Sequence, residues 1–371
     1  MNSPLLPNLQ NDTDQAFERL VHWVEAAGGK VSPLALLPKP GGDRGLFATT
    51  RIPSQRPILR VPHSCLLTVE MALGLPIGQA FAATGLVPRT SHTWLASLLL
   101  TVLFDRATPF RPYLDLLPQS YPFMPLLFED HDLALLRGSF TYGRIAERKE
   151  NIQREYEYLT RLVPALRVYT FAQFVWARLT VLSRNFGITV DGAKTQALVP
   201  IADLLNHQHP REANWGYVGQ AGEFAVTALC DFSKGDEVRD SYGRKCNSRF
   251  FMNYGFVLAE NEENEAKLTF DTPRGPETFL VSAHPEAQSM QKMLLFLQQS
   301  SPHPSGPKQR DNVRRRLVEA CEQALGAFDT TLAEDETLLA NPLIQGNART
   351  CIMMRRGEKR VLHALLDWTR M

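Results

Sequence analysis

Residues 199–210 read VPIADLLNHQHP. An apolar run from Val199 to Leu205 carries one acid, Asp203, and then breaks into Asn206-His207-Gln208-His209-Pro210. A segment that only fills a core has no use for Asp, Asn and His so close together, because each buried polar group needs a partner. On the residues alone, two readings stay open. One is an element end closed by a polar cap, with Pro210 as a stop; the other is a polar rim offered to a ligand. A metal held by Asp203, His207 and His209 lacks another strong ligand or matching His cluster at a familiar spacing, so no metal is expected.

The surrounding chain has 371 residues, enough for a sizeable core and two domains. Its 44% hydrophobic and 21% charged residues are those of an ordinary globular protein. Forty Lys and Arg against 39 Asp and Glu give a net charge of +1, which points away from a chain built to coat nucleic acid or an anionic membrane. The triplet Arg314-Arg315-Arg316 reads as a solvated helix face. Cys65, Cys230, Cys246, Cys321 and Cys351 are far apart and form no Cys-x-x-Cys pair, which argues against a zinc cluster or a disulfide framework. The polar start MNSPLLPNLQNDTDQ has no secretory pattern, and the apolar run 95–104 is too short to span a bilayer. The expectation is a soluble, intracellular (cytoplasmic or nuclear) protein, monomeric and with no nucleic-acid or membrane partner.

Helical spacing recurs at 14–28, 92–104, 143–163 and 171–183. Residues 45–70 hold short β-type runs broken by Pro and Gly. β signals return from 197, and 214–219 with 223–230 reads as a hairpin. After ENEENEA, the stretches 286–299, 309–328, 331–340 and 346–369 read as helices, with SSPHPSGPK as a loop. β-rich segments thus flank a helical insertion, and a helical C-terminal region follows.

Two further stretches stand out. GGDRGLFATTRI (41–52) has clustered glycines that allow close backbone approach, without the spacing of a nucleoside-phosphate loop. SYGRKCNSRFFMNYGFVL (241–258) holds two Tyr-Gly pairs, Tyr242-Gly243 and Tyr254-Gly255, around Asn247. Taken in order, GLFATTRI, LSRNFGI (182–188), PIADLLNH (200–207) and YGRKCNSRFFMNYGF (242–256) resemble the SET-domain protein methyltransferases. The resemblance is closest to the subgroup typified by the RuBisCO large-subunit and actin-histidine methyltransferases.

That resemblance implies an α+β fold: a SET-domain β core of small curved sheets with a pseudoknot, a helical insertion, and an all-α C-terminal substrate-binding domain. On this chain the SET domain would run over 1–265, with the insertion at about 91–195, and the helical domain over 266–371. The cofactor would be S-adenosyl-L-methionine. Its contacts would be Gly45, Leu46 and Phe47 of the N-terminal loop, Arg184, Asp203, Asn206 and His207, and Tyr254, Gly255 and Phe256. Tyr242 matches the family's catalytic tyrosine. Phe186, Trp215, Tyr217 and Tyr254 are the expected substrate-binding residues.

The chemistry suits those residue types. A narrow apolar channel disfavours an ammonium and so prepares a neutral amine for attack, and a preorganised channel fixes the line of attack. Phe186 occupies the place, two residues after the arginine, where the histidine-modifying relative has an asparagine, and an aromatic there suits a lysine stem. The expectation is therefore a protein-lysine N-methyltransferase. A protein-histidine N-methyltransferase and a non-catalytic SET-fold binding module are the alternatives. Two departures from the family pattern are the polar Arg239-Asp240-Ser241 before Tyr242 and Cys246 before Asn247.

Overall fold

The computed structural model describes residues 13–39, 43–83, 91–284 and 286–370; Gly41 and Gly42 lie outside these. The chain packs as two compact units, one of Met1–Tyr121 with Ile152–Arg244 and one of Pro122–Asn151 with Lys245–Met371. Packing thus divides the chain elsewhere than at the 265/266 boundary read from sequence character.

The first unit contains eleven strands among the described residues. They are β1 (Lys30–Val31), β2 (Leu34–Pro38), β3 (Arg44–Ala48), β4 (Pro57–Pro62), β5 (Leu67–Thr68), β6 (Asn185–Val190), β7 (Ala193–Leu198), β8 (Asn206–His207), β9 (Ala213–Val218), β10 (Glu223–Ala228) and β11 (Glu237–Asp240). They form three small sheets, ordered β1-β4-β10-β9, β2-β3-β11-β8 and β5-β7-β6. The short runs between Pro and Gly explain the small size of the sheets, since neither residue continues a ladder well.

Helices cover these sheets. Thr13–Ala26 buries Ala16, Phe17, Leu20 and Val24, one stripe at helical spacing. Ser91–Phe104 is apolar nearly all round and is buried accordingly, with Leu95, Leu98, Leu99 and Leu103 fully enclosed. It packs on Phe171–Arg184. That helix starts at a capping box, in which Thr170 and Gln173 satisfy each other's backbone N–H groups.

The helical insertion ends sooner than expected. Residues 185–198 form the β6–β7 hairpin, with Val190 opposite Ala193. The two-residue loop Asp191-Gly192 has φ of 49° and 80°, the left-handed pair that suits a tight hairpin turn. The β10 and β9 hairpin expected over 214–230 is present, with Trp215 opposite Val226.

The second unit holds helix Asn247–Tyr254, strands β12 (Glu265–Phe270) and β13 (Glu277–Ser282), and helices Gln288–Gln299, Pro307–Gly326, Leu332–Ala340 and Gly346–Arg370. The region after 265 is therefore not all-α: an antiparallel hairpin precedes its helices. Ala266, Leu268 and Phe270 alternate inward on β12 and meet Met290, Met293, Leu297, Leu317, Leu362 and Leu365 in one core. Beside that core lies a buried charge cluster. Asp335 is enclosed and paired with Arg355 and Lys359, each at 2.6 Å. Glu358, on the same helix, accepts from the hydroxyls of Ser139 (2.6 Å) and Thr141 (3.0 Å).

All five cysteines are free thiols. Among the described residues, no helix is long and apolar enough to cross a membrane, and no group of three or more His, Cys, Asp or Glu side chains is arranged to hold a metal.

Candidate active site

The register of one strand gathers six of the singled-out residues. β11 lies antiparallel to β3, with Glu237 opposite Phe47 and Val238 opposite Leu46. It lies parallel to β8, with Arg239 opposite Asn206 and Asp240 opposite His207. Gly45 to Phe47, Asn206, His207 and the Tyr242 that follows β11 are thereby brought into one neighbourhood.

The approach to β8 is strained. Ile201 is fully buried and has φ 67° and ψ −45°, unusual for a β-branched residue. The Ala202 N–H donates to the Pro200 carbonyl over 2.8 Å, closing a three-residue γ-turn of the rare positive-φ kind. A 3₁₀ turn over Ala202–Leu204 follows and delivers the chain to Asn206. The apolar run is therefore a buried reversal rather than the end of a strand or long helix. Strain of this kind persists only where the surroundings over-determine it.

Asn206 spends its amide N–H groups on two acceptors, the Arg44 carbonyl at 2.9 Å and Glu237 Oε1 at 2.8 Å. Glu237 also pairs with Lys39 at 2.8 Å. A Cβ on Gly45 would fall 2.5 Å from Glu237 Oε1 and 3.2 Å from Asn206 Nδ2. Only glycine admits so close an approach.

His207 and Tyr242 are linked twice. The Tyr242 backbone N–H donates to His207 Nδ1 over 3.1 Å, and the rings pack with centroids 5.3 Å apart. The Tyr242 hydroxyl donates to the Leu205 carbonyl over 2.8 Å. Hydroxyl and carbonyl oxygens are thus paired at the end of the Asp-x-x-Asn-His segment.

Behind this pair lies a buried ionic cluster. Arg184 Nη1 donates to the Asp203 carbonyl (2.9 Å) and to its Oδ2 (3.2 Å). The same Oδ2 accepts from the Tyr113 hydroxyl at 3.0 Å. Arg44 donates to the Leu116 carbonyl beside them. Burial raises the Asp203 carboxyl above its usual range, opposed by Arg184. Burial also acts to lower Arg184, but Asp203 and the tyrosines Tyr121 and Tyr113 outweigh it and hold the guanidinium charged. Burial and the neighbouring Arg184 lower Arg44. Asp203 Oδ1 and Arg184 Nε are buried with no partner among the described residues. Such atoms are held at a cost unless a polar group completes them.

Phe186 opens β6. Its ring stands edge-on to Trp215 (5.1 Å) and Phe224 (5.0 Å), while Trp215 and Phe224 stack at 5.5 Å. Tyr217 turns to His63 instead, its hydroxyl 2.9 Å from Nδ1. Of the two expected channel aromatics on β9, Trp215 joins Phe186, whereas Tyr217 is engaged by His63. A groove of about 380 Å³ lies between the β6–β7 hairpin and the start of helix Ser91–Phe104, lined by Ser91, Gly187, Thr189, Lys194 and Gln196. β6 is the edge strand of its sheet.

Tyr254, Gly255 and Phe256 belong to the second unit. Gly255 caps helix Asn247–Tyr254 at φ 80°, and a Cβ there would sit 2.6 Å from the Phe123 carbonyl oxygen. Phe250 stacks on Phe256 at 5.0 Å and packs against Tyr254 at 6.3 Å. Cys246 is a buried thiol pushed up by burial, and Asn247 is tied through both amide atoms to Leu258. Both are structural in this setting. The polar departure before Tyr242 has partners too: Arg239 bonds Gln208 (3.0 Å) and pairs with Glu212 (3.3 Å).

Sequence reading missed Glu237, Lys39 and Tyr113. Each acts through tertiary register, and a single acid in the turn-like DFSKGDEV carries no local mark of its partner 31 residues away.

The description of the Rubisco LSMT substrate-binding domain matches residues 278–362. The SET domain of LSMT bound to lysine and AdoHcy superposes with a TM-score of 0.81 at 19% identity, covering 97% of this chain and 92% of that one. Rubisco LSMT bound to AdoMet superposes with a TM-score of 0.79, also at 19% identity, covering 96% and 91%. The fold is that of the SET-domain methyltransferases with an appended LSMT-type substrate-binding region. By sequence, the actin-histidine N-methyltransferases of Rattus norvegicus and Mus musculus are each 25% identical over 402 aligned residues, which cover 93% of this chain and 67% of theirs. The Homo sapiens protein is 24% identical. The chain is thus similar in sequence to the actin-histidine N-methyltransferases and in fold to the SET domain of LSMT.

Proposed function

We propose that this chain is an S-adenosylmethionine-dependent protein N-methyltransferase. The observation that carries the reading is the Tyr242 hydroxyl donating to the Leu205 carbonyl, with the Tyr242 backbone held by His207. Tyrosine and carbonyl oxygens so placed suit a polarised methyl group, which they would orient by weak C–H···O contacts. S-adenosylmethionine supplies that methyl group on a sulfonium centre.

The polar atoms on hand fit such a ligand: Arg184 Nε and Asp203 Oδ1 are buried with no partner among the described residues, and Gly45 lets Glu237 and Asn206 approach closely enough to fix the Asn206 amide. In this reading Gly45, Leu46, Phe47, Arg184, Asp203, Asn206 and His207 hold the cofactor, and Tyr242 contacts the reacting atoms. The region after 265 docks the protein substrate.

The acceptor has two readings. A histidine ring nitrogen is supported by the names of the sequence relatives, and this support is at least as good as that for lysine. The lysine reading, first suggested by Phe186, is favoured by one observation: the Phe186, Trp215 and Phe224 rings form an apolar wall. Such a wall lowers the pKa of an approaching lysine. It also stacks an imidazole, so it does not exclude histidine. Amino-acid analysis of a protein methylated by the purified chain separates the two readings, as methyl-histidine or methyl-lysine. Methylation of neither residue would remove both.

A further inference from the structure

We infer that Glu237 is a positioning residue that acts through Asn206; this rests on the reading of Asn206 as a cofactor contact. An asparagine amide presents two different faces, and a flip exchanges oxygen for nitrogen at little steric cost. Asn206 faces two groups that can only accept: the Arg44 carbonyl and the Glu237 carboxylate. Both demand N–H, so the amide nitrogen is committed to them. A flipped amide would set Oδ1 against a carbonyl and a carboxylate. Glu237 therefore aims Asn206 Oδ1 the other way, as an acceptor for the cofactor.

The arrangement is built in depth. Glu237 is half-enclosed, its other contact is the Lys39 ammonium at 2.8–2.9 Å, and β11 fixes its backbone between β3 and β8. Lys39 holds both carboxylate oxygens of Glu237. Gly45 is the close neighbour that lets Glu237 and Asn206 meet, because any Cβ there would strike both. Nothing in this places Glu237 on the reacting atoms; its effect passes through one amide.

The test is titration calorimetry with S-adenosylmethionine, well below the melting temperature, on Glu237→Ala and Glu237→Gln, each alone and combined with Asn206→Ala. Glu237→Ala should weaken binding about tenfold. Glu237→Gln keeps a neutral acceptor and should weaken it about threefold. Both effects should vanish in the Asn206→Ala background. The Gln series carries the test alone if the Ala variant does not fold. A merely structural role would lower the melting temperature and leave the dissociation constant in place. Unchanged binding in the Gln variant, or an effect that persists without Asn206, would overturn the inference while leaving the cofactor reading intact. A wild-type chain that binds no S-adenosylmethionine would overturn both.

Discussion

The backbone N–H of Tyr242 donates to Nδ1 of His207 across 3.1 Å. This bond sets the histidine tautomer: Nδ1 is the bare nitrogen, and a neutral ring carries its proton on Nε2. It also pins the tyrosine backbone at the end of β11, so the phenol reaches the Leu205 carbonyl. Replacing His207 by Ala should lower kcat by about ten- to a hundredfold, because small displacements of a reacting group are costly. His207→Asn puts an acceptor oxygen near the place of Nδ1 and should retain more of the rate. Steady-state kinetics of both variants checks this, and equal losses would argue against the backbone bond as the cause.

Gly45→Ala should disturb the same neighbourhood from below. The added Cβ would lie 2.5 Å from Glu237 Oε1, so the carboxylate and the Asn206 amide must move. Cofactor affinity should fall by about tenfold or more, since at least one charge-assisted bond is lost. A binding titration reads this directly; affinity within twofold of wild type would contradict it.

Gly255→Ala should act on stability. The αL conformation alone costs a side chain roughly 1–2 kcal/mol, and the 2.6 Å approach to the Phe123 carbonyl adds to that. Thermal melting should show a drop of several degrees.

Glu358 makes stability depend on pH. Burial, opposed by the Ser139 and Thr141 hydroxyls, the Phe140 N–H and Lys359, pushes its carboxyl up to about 8. The folded state therefore holds a proton that the unfolded chain, near the ordinary carboxyl value of 4.5, has released. This stabilising contribution is complete below about pH 4.5 and is lost as pH rises through about 8. Between pH 5 and 8 the wild type should lose stability, on the order of a few kcal/mol, relative to Glu358→Gln. Denaturant unfolding of the two proteins across that range measures the difference, and parallel pH profiles would contradict it.

Legibility in the sequence followed the range of the interactions. Helices with one apolar stripe, such as Thr13–Ala26, could be read from spacing because burial imposes the period. So could the β9–β10 hairpin. The β6–β7 hairpin carried an Asp191-Gly192 turn signal but lay inside a span assigned to helices. The β12–β13 pair was hidden in the same way by the helices after it. At the site, Asn206, His207 and Tyr242 could be found through their order in the chain. Glu237 and Tyr113 could not, because their roles exist only once β11 lies on β8 and the helical region lies over Asp203. Tyr217, expected beside Phe186, is held by His63, a pairing between residues 154 apart that no local pattern marks.

The central claim is that Tyr242 serves methyl transfer. Its most direct test is the transfer of labelled methyl from S-adenosylmethionine into a methylation-depleted protein extract, comparing wild type with Tyr242→Phe, with cofactor binding of both measured by calorimetry. Wild type should label a protein on a histidine or lysine side chain. The variant should lose about a hundredfold or more of the rate and bind the cofactor within a few-fold of wild type. A variant that labels as fast as wild type would contradict the role given to Tyr242. A wild type that binds the cofactor and labels nothing across extracts would favour a binding module on the same fold.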